Sequence, residues 1–84
     1  MITARQSRAA RALLGWTQET LADKAQVSLT ALKRLESESG LRVYETTCDQ
    51  VRRALEAAGI VFLSTATGKG LLLLDDQENR YPKV

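Results

Sequence analysis

Three hydroxyl residues, Thr3, Thr17 and Ser28, each stand where a helix can begin, and they divide the first part of the chain into short helical pieces. Pieces this short are stable only when packed against one another. Thr3-Ala4-Arg5-Gln6 has the form of a capping box, with Ile2 as the apolar residue of a staple before it. Ala9, Ala10, Leu13 and Leu14 then recur at helical spacing, and Gly15 is a natural stop. Thr17 opens a second helix that turns Leu21, Ala22 and Ala25 inward, with Trp16 plugging the connection. Ser28 opens a third that runs to about Ser37, burying Val27, Ala31, Leu32 and Leu35, and Glu38-Ser39-Gly40 closes it.

A loop over 41–45, with Val43 or Tyr44 dipping inward, leads to a fourth helix. Its expected start is Thr46 or Thr47, its apolar stripe runs through Cys48, Val51, Ala54, Leu55 and Ala58, and Gly59 ends it. The pattern then changes. Ile60-Val61-Phe62-Leu63 and Leu71-Leu72-Leu73-Leu74 are short apolar runs around a Gly- and Thr-rich turn, 64–70. They read as a β-hairpin, or as two strands that pair with something else. From Asp75 onward the chain is polar, holds the only proline, and reads as a loose tail. The expected architecture is mainly α, with a helical unit over 1–59, a strand or hairpin segment over 60–74 and a tail over 75–84.

With 84 residues there is room for one small domain, and a chain of that size hides only roughly 60% of its unfolded surface. The longest apolar runs are far too short to span a bilayer, and Met1 is followed by no basic-then-apolar secretory segment, so the expected location is the cytoplasm. One cysteine and no histidine narrow the chemistry further. Cys48 has no internal disulfide partner, no Cys/His set is present to hold zinc, and nucleophile arrangements that need a histidine base are excluded. Gly68-Lys69-Gly70 is too short for a phosphate loop. The expectation is a protein that is not an enzyme and uses no cofactor or metal. Positive charge gathers toward the N-terminus: residues 1–53 hold nine basic against six acidic side chains, and 54–84 hold three against four. A mixed solvated surface would give the same sums, so charge alone does not point to nucleic acid.

Two short helices joined by a tight turn, the second with a polar outward face, make the shape of a helix-turn-helix. Residues 18–36 support that shape in detail and resemble the DNA-binding segment of the lambda/434-repressor-like (Cro/C1, XRE) transcriptional regulators. The family pattern Gln-x-x-Leu-Ala-x-x-x-Gly-Val-Ser-x-x-x-Ile-x-x-x-Glu is met at Gln18, Leu21, Ala22, Val27, Ser28, Leu32 (Leu for Ile) and Glu36. The lead-in Arg-Ala-Leu-Leu-Gly-Trp-Thr, ending at Thr17, also looks like that of many small bacterial members, and the likeness extends over about 2–59. The resemblance implies a lambda-repressor-like domain of four to five helices, in which Ala22 lets the two helices cross closely and Val27 wedges into the core from the turn. One position departs from the pattern: Gln26 stands where the family usually has Gly, so it must take a left-handed conformation or alter the turn.

On a helical wheel Leu35, Ser28 and Glu36 cluster around Leu32 on the inward side, while Thr30, Lys33, Arg34 and Ser37 project outward and Leu29 lies on the flank. Arg34 has the bidentate fork suited to guanine O6 and N7, and it matches a base-reading position of the family. Thr30 suits a base edge, and Leu29 a thymine methyl. Gln18 looks like the family residue that grips a backbone phosphate, with Thr17 beside it and Ser28 aiming the third helix's N-terminus at the groove. Lys33, Ser37 and Arg42 are expected to be further phosphate contacts, which set register without reading sequence. Arg5 and Arg8 are placed equally well at the backbone or in solvent. Arg11 and Glu36 look like an ion pair that many members keep behind the recognition helix; Glu36 is on the inward half, where an unpaired carboxylate is costly.

The remaining expectation concerns the apolar runs. Ile60, Val61, Phe62 and Leu63 put apolar groups on both faces of a strand, as do Leu71, Leu72, Leu73 and Leu74, and the helices can cover only one face. A second copy that extends the sheet would resolve this and carry two recognition helices to a palindromic operator; the alternative is a hairpin folded back on its own helices in a monomer. The reading is therefore a double-stranded-DNA-binding transcriptional regulator, a repressor acting as a homodimer. Its rivals are an antitoxin, with the apolar C-terminal segment bound to a toxin, or an anti-activator that keeps the fold but binds a protein instead of DNA. Lys33 and Arg34 on an outward face without acids argue against the last.

Overall fold

A computed structural model describes residues 1–37 and 43–75. In chain order it contains α1 (Ala4–Leu14), α2 (Gln18–Ala25), α3 (Leu29–Glu36) and α4 (Glu45–Ala57), then β1 (Ile60–Ser64) and β2 (Lys69–Leu73). The helices begin where side-chain oxygens satisfy their free N–H groups. Thr3 Oγ1 accepts from Gln6 N at 3.1 Å while Gln6 Oε1 accepts from Thr3 N at 3.0 Å, a complete capping box. Thr17 and Ser28 cap α2 and α3 in the same way, accepting from Thr20 N and Ala31 N at 3.0 Å each. Gly15 ends α1 at φ 71° and Gln26 ends α2 at φ 57°, both left-handed. Gln26 thus keeps the turn that the family builds with Gly, and a side chain there costs some strain.

The fourth helix corrects the expected boundary. It starts at Glu45, with Tyr44 as its cap residue and no side-chain cap bond, so Thr46 and Thr47 already lie inside it. Val43, half-buried, packs against the core, whereas Tyr44 is 72% exposed. The closing residues Glu38, Ser39 and Gly40, the loop position Arg42 and the tail from 76 lie outside the described residues.

Leu21, Leu32, Val51 and Leu55 are fully buried and form the centre of the core, joined by Ala10, Ala22, Ala25, Leu35, Cys48 and Ile60. Trp16 packs against it from the α1–α2 connection, with Lys24 Nζ 5.3 Å from the ring centroid. The two strands pair antiparallel within the chain, Ile60 opposite Leu73 and Val61 opposite Leu72. Leu74 falls outside β2, which begins at Lys69 instead of at the apolar run. The hairpin shares the helices' core, β1 lying on α4 and β2 on α1. Gln6 ties it down from beneath: Nε2 donates to the carbonyls of Gly70 at 2.9 Å and Leu63 at 3.4 Å. Among the described residues no helix is long and apolar enough to cross a membrane, and no cluster of His, Cys, Asp or Glu suits a metal ion.

Candidate nucleic-acid interface

The α2–turn–α3 unit is held by short-range bonds. After Ala25 the chain reverses at Gln26, whose N–H donates to the Asp23 carbonyl at 3.2 Å, and Val27 N–H donates to the Ala22 carbonyl at 3.0 Å. Val27 then drops toward the core, and Ser28 starts α3 in a new direction. Leu32, Leu35 and Glu36 face inward, while Thr30, Lys33, Arg34 and Ser37 are exposed. Ser28 is exposed too, although the wheel puts it inward: as the cap residue it has extended backbone and lies off the helical path. Leu29 is half-buried and packs partly on the core, so only its outer part is open to a groove.

Behind α3 lies the only buried carboxylate among the described residues, Glu36, 4% exposed. Arg11 donates through Nε at 3.0 and 2.9 Å to its two oxygens, and Arg11 Nη2 approaches Oε1 at 2.8 Å. Ser7 Oγ donates to Oε2 at 2.6 Å and Gln18 Nε2 to Oε1 at 3.1 Å. Arg8 donates to the Glu36 main-chain carbonyl, and Arg11 also reaches the Trp16 carbonyl at 3.2 Å. Burial by itself pushes the Glu36 carboxyl up. The hydrogen bonds from Arg11, Ser7 and Gln18 and the charge of Arg11 outweigh burial and hold the carboxyl below its ordinary value of 4.5. One side chain therefore fixes the end of α3 to both α1 and α2.

This arrangement qualifies two of the expected roles. Gln18 spends one amide hydrogen on Glu36, and the second is the donor it has for a phosphate. Arg8 is engaged with the end of α3, while Arg5 lines a groove between α1 and β2. Thr17 is exposed beside Gln18, its hydroxyl already capping α2. Arg42 lies outside the described residues.

Sequence reasoning passed over Tyr44 and Thr47. With Ser28, Thr30, Ala31, Arg34 and Val43 they line a small depression of about 110 Å³ beside the outer face of α3. Tyr44 offers a phenol hydroxyl at the start of α4, next to the surface that carries Arg34. An aromatic followed by Glu45, Thr46 and Thr47 was the available signal, but it reads equally well as a loop residue turned inward.

In the hairpin, Ile60, Phe62, Leu71 and Leu73 turn toward the chain's own helices, and Leu74 is half-buried, its N–H donating to the Gly59 carbonyl at 2.8 Å. Val61, Leu63 and Leu72 face outward at 37%, 42% and 43% exposure.

Residues 8–41 match the family model described as helix-turn-helix, a span that holds most of α1, all of α2, the turn and α3. Comparison with curated proteins and with solved structures gives no match.

Proposed function

Residues 8–41 are a helix-turn-helix of the Cro/C1 (XRE) type, a DNA-binding unit, and from that premise we propose that the chain is a sequence-specific transcriptional repressor. The observation that carries the reading is the outer face of α3, where Thr30, Lys33, Arg34 and Ser37 are exposed, two of them cationic and none acidic. Arg34 reads a guanine in the major groove, Thr30 and Leu29 contact neighbouring base edges, and Lys33, Ser37, Ser28, Thr17, Gln18 and Arg42 hold phosphates. Glu36 keeps α3 rigid against α1 and α2, so these side chains meet the groove as a fixed set. A homodimer assembled through 60–74 sets two such faces on a palindromic operator, roughly 34 Å apart, and represses by occluding polymerase.

Selection from genomic DNA with the purified protein, followed by footprinting, tests this directly. On the recovered site Arg34→Ala is expected to lose roughly 1–3 kcal/mol and to relax preference at one base of each half-site. Gln18→Ala is expected to weaken binding to all sequences alike, because a phosphate contact carries no sequence information. Undiminished affinity of Arg34→Ala at matched salt would remove α3 from the groove.

A further inference from the structure

The outer face of α3 runs on into the depression of about 110 Å³ between α3 and the start of α4. Thr30 and Arg34, both exposed, belong to the face and also line the depression, so what lies against the one reaches the other. Between them α3 contributes Ala31, and the chain before α4 contributes Val43, both half-buried. Ser28 lines it too, but its hydroxyl already serves the α3 cap, accepting from Ala31 N–H at 3.0 Å. The size of the depression restricts what it can take. At roughly 30 Å³ per water it holds three or four waters, far below the roughly 300–1,000 Å³ of a pocket for a whole small molecule. A phosphate there would lose water against the carbons of Ala31 and Val43, at a cost. A small alkyl group would instead displace water from those carbons, which is favourable.

The major groove of DNA offers one alkyl group on its base edges, the C5-methyl of thymine. 5-Methylcytosine carries the same group at the same ring position. The helix decides which base pair supplies it. Thr30 and Ala31 stand four and three positions before Arg34, one turn or about 5.4 Å back along α3. Base pairs follow one another at about 3.4 Å, so with Arg34 on a guanine the group against Ala31 belongs to a flanking pair. We propose that this depression is a subsite for the 5-methyl group of the pyrimidine in a base pair flanking that guanine. The chain then binds thymine or 5-methylcytosine there in preference to unmethylated cytosine, and its DNA binding responds to cytosine methylation at that position. The subsite rests on the DNA reading above and adds Ala31 and Val43 to it as determinants of specificity.

Fluorescence anisotropy of the full chain on the selected operator, at one salt concentration, tests it. Arg34→Ala locates the guanine as the base at which preference relaxes, and each pair flanking that guanine holds one pyrimidine. Where that pyrimidine is thymine, deoxyuridine in its place removes the methyl group alone; where it is cytosine, 5-methylation adds it. At one flanking pair the methyl group is expected to tighten binding about fourfold per half-site, the worth of one buried methyl. Val43→Thr keeps the shape of the wall and adds a hydroxyl, with circular dichroism to verify the helices. It is expected to bring the ratio of methylated to unmethylated affinity toward one and to leave affinity for the methyl-free operator unchanged, a split that a merely structural fault would not give. No methyl effect at either flanking pair, or a ratio that Val43→Thr leaves as it was, would overturn the subsite while the DNA reading stands. If selection recovers no site, or Arg34→Ala relaxes no base, the DNA reading fails and the subsite falls with it.

Discussion

The helix-turn-helix and the hairpin spend their apolar and polar groups in opposite ways. Among the described residues every buried side-chain nitrogen or oxygen has a hydrogen-bond partner, and behind α3 the one buried carboxylate accepts from three different side chains. The hairpin has apolar side chains on both faces, covers one of them with α1 and α4, and leaves Val61, Leu63 and Leu72 in water. The first region is complete within one chain; the second has surface left over. Hydrogen bonds fix the helix-turn-helix from behind α3, whereas the hairpin is fixed by the apolar side chains of its inner face and keeps the others outside.

Breaking the hub behind α3 has the largest expected effect. Glu36→Ala strands Arg11, Ser7 and Gln18 together, and is expected to cost about 3–5 kcal/mol of unfolding free energy in urea. A loss below about 1 kcal/mol would show that the hub is not what joins the three helices. The hairpin gives a contrast between its faces. Ile60→Ala, at a position 2% exposed, is expected to cost roughly 2–5 kcal/mol. Leu72→Ala, at 43% exposure, is expected to stay within about 0.5 kcal/mol in dilute monomer. Equal losses at the two positions would mean that the chain alone already buries both faces.

Acid separates the regions next. The folded Glu36 carboxyl lies below its ordinary 4.5, so the unfolded chain takes up this proton first as pH falls. Its contribution is therefore full above about 4.5 and is lost as pH drops through the lower folded value. Urea unfolding from neutral pH down into that range should show the parent losing stability more steeply than Glu36→Gln, and parallel profiles would count against the lowered carboxyl. The smallest effect belongs to the turn. Gln26→Gly relieves a left-handed backbone at φ 57° and is expected to raise stability by about 1 kcal/mol or less, read as a small rise in melting temperature.

Most of the helix-turn-helix was legible in the chain because its determinants are local. A cap joins residues three apart, as Thr3 does with Gln6, Thr17 with Thr20 and Ser28 with Ala31, so the order of residues already specifies the bond. The outward set Thr30, Lys33, Arg34 and Ser37 follows from the period of the helix that such a cap begins. The start of α4 was misread for the same reason: Thr46 and Thr47 look like caps, but the helix begins at Glu45 behind Tyr44, without a side-chain cap.

What the tertiary structure alone decided are the matters that depend on residues far apart. Period-two alternation assigns Ile60 and Phe62 to one face of the hairpin and Val61 and Leu63 to the other, and with both faces apolar the sequence offers no preference between them. Packing on α1 and α4 makes the choice, and Gln6 secures it by a bond to Gly70 across 64 positions of the chain. The amide bond of Gln18 to Glu36 is of the same kind, since it exists only because α2 and the end of α3 meet in the fold. Bonds to near neighbours can be read from residue order, while these arise only when the chain has closed on itself and brought distant groups within hydrogen-bond range.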